Sequence, residues 1–414
     1  MERIIKKKIL IHSIVFSPDG VSTAYLYNDI ALGFKNNGYE VVVLTTTPHY
    51  NIVKEDFAKQ PMSPKLMGLF YESSFNGIRV IHVPLKKYKS TLLRILSFIY
   101  WHLFSFVLGL SINKINYILS PSPPLSIGFV SILIAKIKKA KIIYNVQEIY
   151  PDLLINQGSL KSKFIIKILK RLEKFVYNNS NAVITIDQNF YDQIKDRFIN
   201  LQKLNIIPNF VDTALYKPEI NITLPSIFND DKSKLKLLYA GNIGFFQDWE
   251  PIFYAAKKLL NTNIEFWIIG EGVRKEYLLN RVEEEKLNNV KILPYQNRNL
   301  MPAINSFADI HFISISKEME KEGFPSKVYT IMACAKPMII LTGENTPLFN
   351  FLSDKNCSIL ISDNRNDNFV ESIISLANDK NKQFELGQNG YNEIQNYYTK
   401  EKVIEQYVDL FEKI

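Results

Sequence analysis

The feature that most constrains this chain is an alternation of short apolar, β-branched runs with amphipathic helical stretches, repeated in two series. Ile9–Phe16 is the first such run, closed by Pro18-Asp19-Gly20. Ser22 then opens a segment with Ala24, Leu26, Ile30, Ala31 and Phe34 at helical spacing. Asn37-Gly38 ends it, and Val41–Leu44 reads as the next strand. The pattern recurs as strand Tyr117–Ser120, helix Leu125–Lys138, strand Lys141–Val146, helix Lys161–Tyr177 and strand Ala182–Ile186. Such strand–helix–strand units require parallel strands joined by right-handed crossovers.

Around Asn205–Ser233 the periodicity breaks at Pro208, Pro218 and Pro225, which reads as an interdomain connection. A second series supplies strands Lys236–Ala240, Glu265–Ile269, Val290–Leu293, Asp309–Ser314 and, as the last strand, Pro337–Leu341. Its helices are Trp249–Leu260, Arg274–Leu287 and Ser326–Ala333, and a final helix spans Thr399–Ile414. The expected fold is α/β: two facing Rossmann-like domains, residues 1–205 and 206–398, with a ligand cleft between them. Helix 399–414 is expected to pack back on the first domain. Domains of this kind bind ligands outside the carboxyl ends of their strands, and the fold alone does not name the ligand.

The 50 Lys and Arg outnumber the 41 Asp and Glu, but unevenly. Residues 1–210 hold 27 basic against 13 acidic residues, and residues 211–414 hold 23 against 28. No acid lies between Glu72 and Glu148, where Arg79, Lys86, Lys87, Lys89, Arg94, Lys114, Lys136, Lys138, Lys139 and Lys141 fall. A polyanion suits such a region. The uncharged aromatic run Ile95–Asn113 directly after the basic cluster favours an anionic membrane surface over nucleic acid. That run reads as a core helix or an interfacial one; its length is borderline for a span. Two cysteines, Cys334 and Cys357, point to a reducing, cytoplasmic setting, and the basic first half with its aromatic run leads us to expect peripheral association with the inner membrane. The five histidines lack metal-ligand spacing and no Asp-x-Asp pair occurs, so no metal is expected.

Three turns carry the chemistry. Glu322-Gly323-Phe324-Pro325-Ser326-Lys327 precedes a helix that Ser326 would cap, offering a phosphate free N–H groups and the charge of Lys327. Gly241-Asn242-Ile243-Gly244 and Gly270-Glu271-Gly272 follow strands, their glycines permitting close backbone approach to a diphosphate. Neither a G-x-x-x-x-G-K-S/T phosphate loop nor a G-x-G-x-x-G dinucleotide turn is present, which argues against an ATPase or a dehydrogenase.

These segments, with Ser17–Thr23, Asn145–Asp152 and Ile207–Asp212 in the same order, resemble the family-four retaining glycosyltransferases of the two-Rossmann (GT-B) fold. The resemblance is closest to the subgroup that builds bacterial O-antigen, capsule or colanic acid, including the L-fucosamine transferases. It implies that the second domain binds a nucleotide-sugar donor, expected to be UDP-linked, through Gly241, Asn242, Gly244, Gly270, Glu271, Gly323, Phe324, Pro325, Ser326 and Thr330. It implies that the basic first domain meets a polyprenyl-diphosphate-linked saccharide through Asp19, Gly20, Ser22 and Gln147, with Glu322, Lys327 and Glu148 as catalytic residues. Two departures stand out: Thr330 occupies the place of the family's second glutamate, and Phe245-Phe246 follow the Gly241–Gly244 turn where a basic residue is usual. A nucleotide-sugar epimerase and a catalytically silent scaffold of a membrane complex are the rival readings.

Overall fold

The computed structural model describes residues 7–49, 54–86, 88–219, 223–228, 231–320 and 324–414. Glu322, Gly323 and Lys87 therefore lie outside the described residues. The chain divides into two compact units, residues 1–209 with 401–414, and residues 210–400.

In chain order, unit 1 contains β1 (Lys8–His12), α1 (Ser22–Asn36), β2 (Glu40–Thr46), α2 (Lys54–Lys59), β3 (Ser63–Lys65), β4 (Phe70–Phe75), β5 (Ile78–Val83) and α3 (Thr91–Ser111). There follow β6 (Tyr117–Pro121), α4 (Leu125–Lys138), β7 (Lys141–Val146), α5 (Asp152–Asn156), α6 (Lys163–Asn179), β8 (Ala182–Thr185), α7 (Gln188–Ile194) and β9 (Leu204–Ile206). The sheet order is β3-β4-β5-β2-β1-β6-β7-β8-β9. Its centre is parallel because each crossover is a helix; β3, β4 and β5 pair antiparallel because only tight turns join them. The order reverses between β1 and β6, which places a crevice at that switch point.

Unit 2 contains β10 (Leu235–Ala240), α8 (Glu250–Lys258), β11 (Ile264–Ile269), α9 (Lys275–Glu284), β12 (Val290–Leu293), α10 (Met301–Phe307) and β13 (Ile310–Ser314). It continues through α11 (Lys327–Ala333), β14 (Met338–Leu341), α12 (Pro347–Leu352), β15 (Ser358–Ile361), α13 (Arg365–Asn378) and α14 (Lys380–Glu393). All its strand pairs are parallel, in the order β12-β11-β10-β13-β14-β15, with the switch between β10 and β13. Pro337–Leu341 is not the last strand. The four-residue β15 follows it, too short to stand out as an apolar run.

The last helix, α15 (Lys400–Lys413), buries Val403, Ile404, Tyr407, Leu410 and Phe411. Tyr407 Oη accepts a hydrogen bond from Asn145 Nδ2 at 2.6 Å, and Phe411 packs against Phe34 with ring centroids 4.7 Å apart. Each unit's central strands are wholly buried, such as Ile9–Ile11 and Leu237–Tyr239. In unit 1 the fully buried Glu173 is gripped by Arg197, which also reaches Asp152, while Lys170 bonds Asp152 and stands 3.5 Å from Glu173. Burial pushes the Glu173 carboxyl up, against the pull of both cations.

Helix α3 runs from Thr91 to Ser111 and is long and apolar enough to cross a membrane by length and composition. It nevertheless packs on unit 1 through Trp101, Ser105 and Leu108, at i, i+4 and i+7, all buried. The opposite side exposes Leu92, Leu93, Ile95, Leu96, Ile99, Leu103 and Val107. The helix is thus half of a core layer and half an apolar surface.

Candidate functional site

At the switch point of unit 2, two turns are zipped together beyond β10 and β11. The N–H of Gly241 donates to the Ile269 carbonyl at 2.9 Å, that of Ile243 to Glu271 at 2.8 Å, and that of Arg274 to Ile243 at 3.0 Å. Gly270 has φ +155°, and a Cβ there would lie 1.8 Å from the Gly241 carbonyl oxygen. The glycine at 270 is therefore required by the neighbouring turn's backbone rather than by a ligand. Gly241, at φ +149°, answers to a different neighbour: a Cβ would stand 2.6 Å from Lys327 Nζ. The turn is held from below by Tyr239, whose hydroxyl donates to the Asn242 carbonyl at 2.6 Å, and by Gln247, which accepts from the Gly244 N–H at 3.0 Å. The Asn242 side chain is exposed.

Lys327 opens α11 and reaches across to this turn, its Nζ 3.7 Å from the Tyr239 ring centroid. Among the described residues no carboxylate pairs with it. Burial of the ammonium pulls its pKa down to about 7. A lysine ammonium held against an aromatic ring and a glycine turn, with no described carboxylate paired to it, is set to receive an anion.

The surrounding residues correct several expectations. Ser326 does not cap α11: its side chain makes no cap hydrogen bond. The first-turn donors are largely used, since the N–H of Val328 bonds Pro325 at 3.1 Å and that of Tyr329 bonds Ser326 at 3.2 Å. Thr330 spends its hydroxyl on the Lys327 carbonyl at 2.9 Å. Phe324 is an anchor, its ring 4.8 Å from Phe351 and 5.3 Å from Tyr329. Glu271 is exposed and paired to Lys275 at 2.6 Å, a hydrogen bond that keeps its carboxyl below the usual range.

Two residues that sequence reasoning passed over belong here. Arg274, at the entry to α9, lays its guanidinium over Phe245 at 5.2 Å and Tyr277 at 4.2 Å. The turn lacking a basic residue of its own thus has one stacked on its aromatic substitute. Glu320 is paired to the buried Arg365 at 2.7 Å and accepts the Gly343 N–H at 2.8 Å, pinning the segment that leads to the phosphate-suited turn. Neither pairing has a spacing that a sequence pattern reveals: Glu320 and Arg365 are 45 residues apart.

In unit 1, Asp19 is buried and its Oδ1 accepts the His49 N–H at 2.8 Å, tying the loop after β1 to the loop after β2. Gly20 is partly exposed and Ser22, the first residue of α1, is exposed. Beyond β7, Gln147 and Asn209 exchange amide hydrogen bonds at 3.1 and 3.0 Å, and Gln147 also donates to Asn145 at 3.2 Å. Ser122 binds the next peptide, accepting from the Glu148 N–H at 3.3 Å and donating to its carbonyl at 2.9 Å. Burial pushes the Glu148 carboxyl above the ordinary glutamate range, opposed by a hydrogen bond with Tyr150.

Two Rossmann-like sheets in one chain, one with a cationic turn at its switch point, define a two-domain architecture suited to a phosphate-bearing ligand. The chain belongs to the glycosyltransferases of this two-Rossmann (GT-B) fold: the Glycosyltransferase Family 4 model matches residues 24–215 and the Glycosyl transferases group 1 model matches residues 223–393. It is similar to an Escherichia coli K12 protein, WcaI, whose name assigns it as a glycosyl transferase of colanic acid biosynthesis. That match is 23% identical over 357 residues, covering 82% of this chain and 84% of the relative. The Escherichia coli UDP-Gal:alpha-D-GlcNAc-diphosphoundecaprenol alpha-1,3-galactosyltransferase is 23% identical over 268 residues, covering 61% of this chain and 65% of the relative. Among solved structures, Anabaena HepE in complex with UDP superposes with a TM-score of 0.72 at 14% identity, covering 98% of this chain and all of that one.

Proposed function

We propose that this enzyme is a retaining glycosyltransferase that moves an N-acetylated or deoxy hexose from a UDP-linked donor to a polyprenyl-diphosphate-linked saccharide in bacterial surface-polysaccharide synthesis, within the subgroup that includes the L-fucosamine transferases. The observation that carries the reading is Lys327, an enclosed cation without a described carboxylate partner beside the Gly241 turn. It would neutralise the diphosphate as the sugar–phosphate bond breaks. The acceptor hydroxyl would form the new glycosidic bond on the same sugar face while its proton passes to the departing phosphate oxygen. Glu148, a carboxyl with a raised pKa, would orient that hydroxyl. Metal-independent transfer is expected, since no Asp-x-Asp pair occurs in the sequence and, among the described residues, Glu271 is engaged by Lys275 and Glu320 by Arg365. The name of the diphosphoundecaprenol galactosyltransferase supports the acceptor class, and that of WcaI the surface-polysaccharide setting.

The protein would work at the cytoplasmic side of the inner membrane, bound peripherally through the exposed side of α3 and the basic residues before it. A thermal-shift panel of UDP-, GDP- and dTDP-sugars tests the donor, with the largest rise expected for a UDP-sugar and transfer expected to survive excess EDTA. A flat response to all three, or activity abolished by EDTA and restored by magnesium or manganese, overturns the reading. Incubating donor without acceptor separates it from an epimerase, which would return an altered donor.

A further inference from the structure

Unit 1 holds a groove of about 1200 Å³, above the roughly 300–1,000 Å³ usual for small-molecule sites. Its walls come from α2, the β3–β4 turn and the start of α3, and include Phe57, Leu69, Tyr71, Leu93, Leu96 and Tyr100. Phe57, Leu69, Leu93 and Leu96 are all more than 40% exposed, so the groove presents apolar surface that the fold itself does not cover. The walls are fixed to each other: Tyr100 Oη donates to the Leu69 carbonyl at 2.9 Å, and the Lys86 N–H donates to Ser97 Oγ at 3.2 Å.

The β3–β4 turn is built to display apolar residues. Leu66, Met67 and Gly68 have successive positive φ values of 45°, 54° and 88°. Two non-glycine residues in the left-handed region are an uncommon expense of backbone strain. Here it leaves Leu66 66% and Met67 fully exposed, beside the groove mouth lined by Gly68 and Leu69. Lys86 contributes a cation to the wall, Lys89 follows in the same exposed segment, and no acid occurs from residue 73 to residue 147.

An open apolar channel with a cationic edge fits a long amphiphile with an anionic head. A second copy of the chain would bring the same basic residues against each other. We propose that this groove takes the isoprenoid chain of the lipid-linked acceptor, with its diphosphate near Lys86, and that the Leu66–Met67 tip enters the membrane from which the chain is drawn. The inference rests on the acceptor class proposed above.

The test uses the full-length protein in detergent micelles with a photoreactive farnesyl diphosphate, and maps the labelled peptides by mass spectrometry. Labelling is expected on the segments around residues 57–62 and 88–100. Undecaprenyl phosphate should compete with it and a dodecyl detergent should not. Leu96→Glu, which puts a charge in the wall, and Ala58→Trp, which fills the groove from the other side, should each lower labelling by about tenfold. Two variants on opposite walls guard against a misfolded one. Labelling confined to α3 around Leu103 and Val107, beyond the groove, labelling unchanged in both variants, or equal competition by the dodecyl chain would overturn the proposal. Sugar transfer to a short-chain acceptor is measured alongside. Transfer without groove labelling sinks this inference alone, whereas groove labelling without transfer to any acceptor sinks the glycosyltransferase reading.

Discussion

Beyond β7 in unit 1, Gln147 and Asn209 close on each other through neutral amides, whereas beyond β10 in unit 2 Lys327 faces a glycine turn with no described carboxylate beside it. The parallel parts of the two sheets are wound alike, with strand order reversing at β1 in unit 1 and at β10 in unit 2. What differs is the material at the strand ends. Paired amides present donors and acceptors without net charge, which suits hydroxyl groups. An enclosed ammonium presents uncompensated charge, which suits a phosphate. The difference teaches that one winding can serve two ligands because the loops, not the strands, carry the chemistry.

The comparison can be broken first at the level of stability. Arg197→Ala leaves Glu173 buried without its main cation and should cost about 3–5 kcal/mol in chemical denaturation. The loss should belong to unit 1, while unit 2 in Lys327→Ala should unfold as readily as wild type or less so, since that change removes an enclosed charge. Equal destabilisation by both would erase the contrast.

The next effect is on binding. Lys327→Ala should weaken donor binding by about 1.5–3 kcal/mol, read as a raised donor KM and a lost thermal shift. In the free enzyme Lys327 is protonated only below about pH 7, and a bound diphosphate would raise that value. Donor affinity should therefore decline as pH rises above 7 in the wild type, and Lys327→Arg should flatten the profile. A profile unchanged by that replacement would remove Lys327 from the phosphate.

A third effect concerns histidines on both sides of the comparison. Burial lowers His12 to about 3, His82 to about 4 and His311 to about 3. Each stays neutral in the fold but takes a proton in the unfolded chain below about pH 6.5. The stability they contribute is thus present above pH 6.5 and is lost as pH falls towards 3 or 4, at about 1.4 kcal/mol per group per unit. Melting curves at pH 7 and pH 5 check this, and a protein equally stable at both would contradict it. The last effect is at the membrane. Replacing Lys86, Lys87, Lys89 and Arg94 with Gln should release the protein from anionic liposomes at physiological salt, each basic residue contributing about 1 kcal/mol. Retention of the variant on liposomes in high salt would point instead to deep insertion of α3.

Much of the fold was legible because its elements carry their own signals. Helix Leu125–Lys138 and strand Lys141–Val146 appear where their apolar patterns put them, separated by a basic turn. The strands β3 and β4 escaped notice because SPK is wholly exposed and FYESSF is mostly half-buried, neither showing clean alternation. In the candidate site, residue identity was legible and partnership was not. The Gly270 turn looked like a phosphate turn, yet its missing Cβ is claimed by the Gly241 carbonyl. Ser326 looked like a cap, yet backbone carbonyls from Pro325 and Ser326 itself satisfy the first turn. The stacking of Arg274 on Phe245 joins two turns that sequence reading treats separately.

Within unit 2 the chain's entry and exit touch. Val211 bridges Thr399, its N–H bonds the Tyr398 carbonyl at 3.0 Å, and Asp212 pairs with Lys400 at 2.6 Å. Unit 2 is thus a closed insertion within unit 1, whose last segment, residues 401–414, is translated after all of it. On the ribosome the usual order is inverted: the unit begun first is finished last. Until α15 emerges, Asn145 lacks the Tyr407 hydroxyl and Phe34 lacks Phe411, so a nascent chain holds a completed unit 2 and an open unit 1.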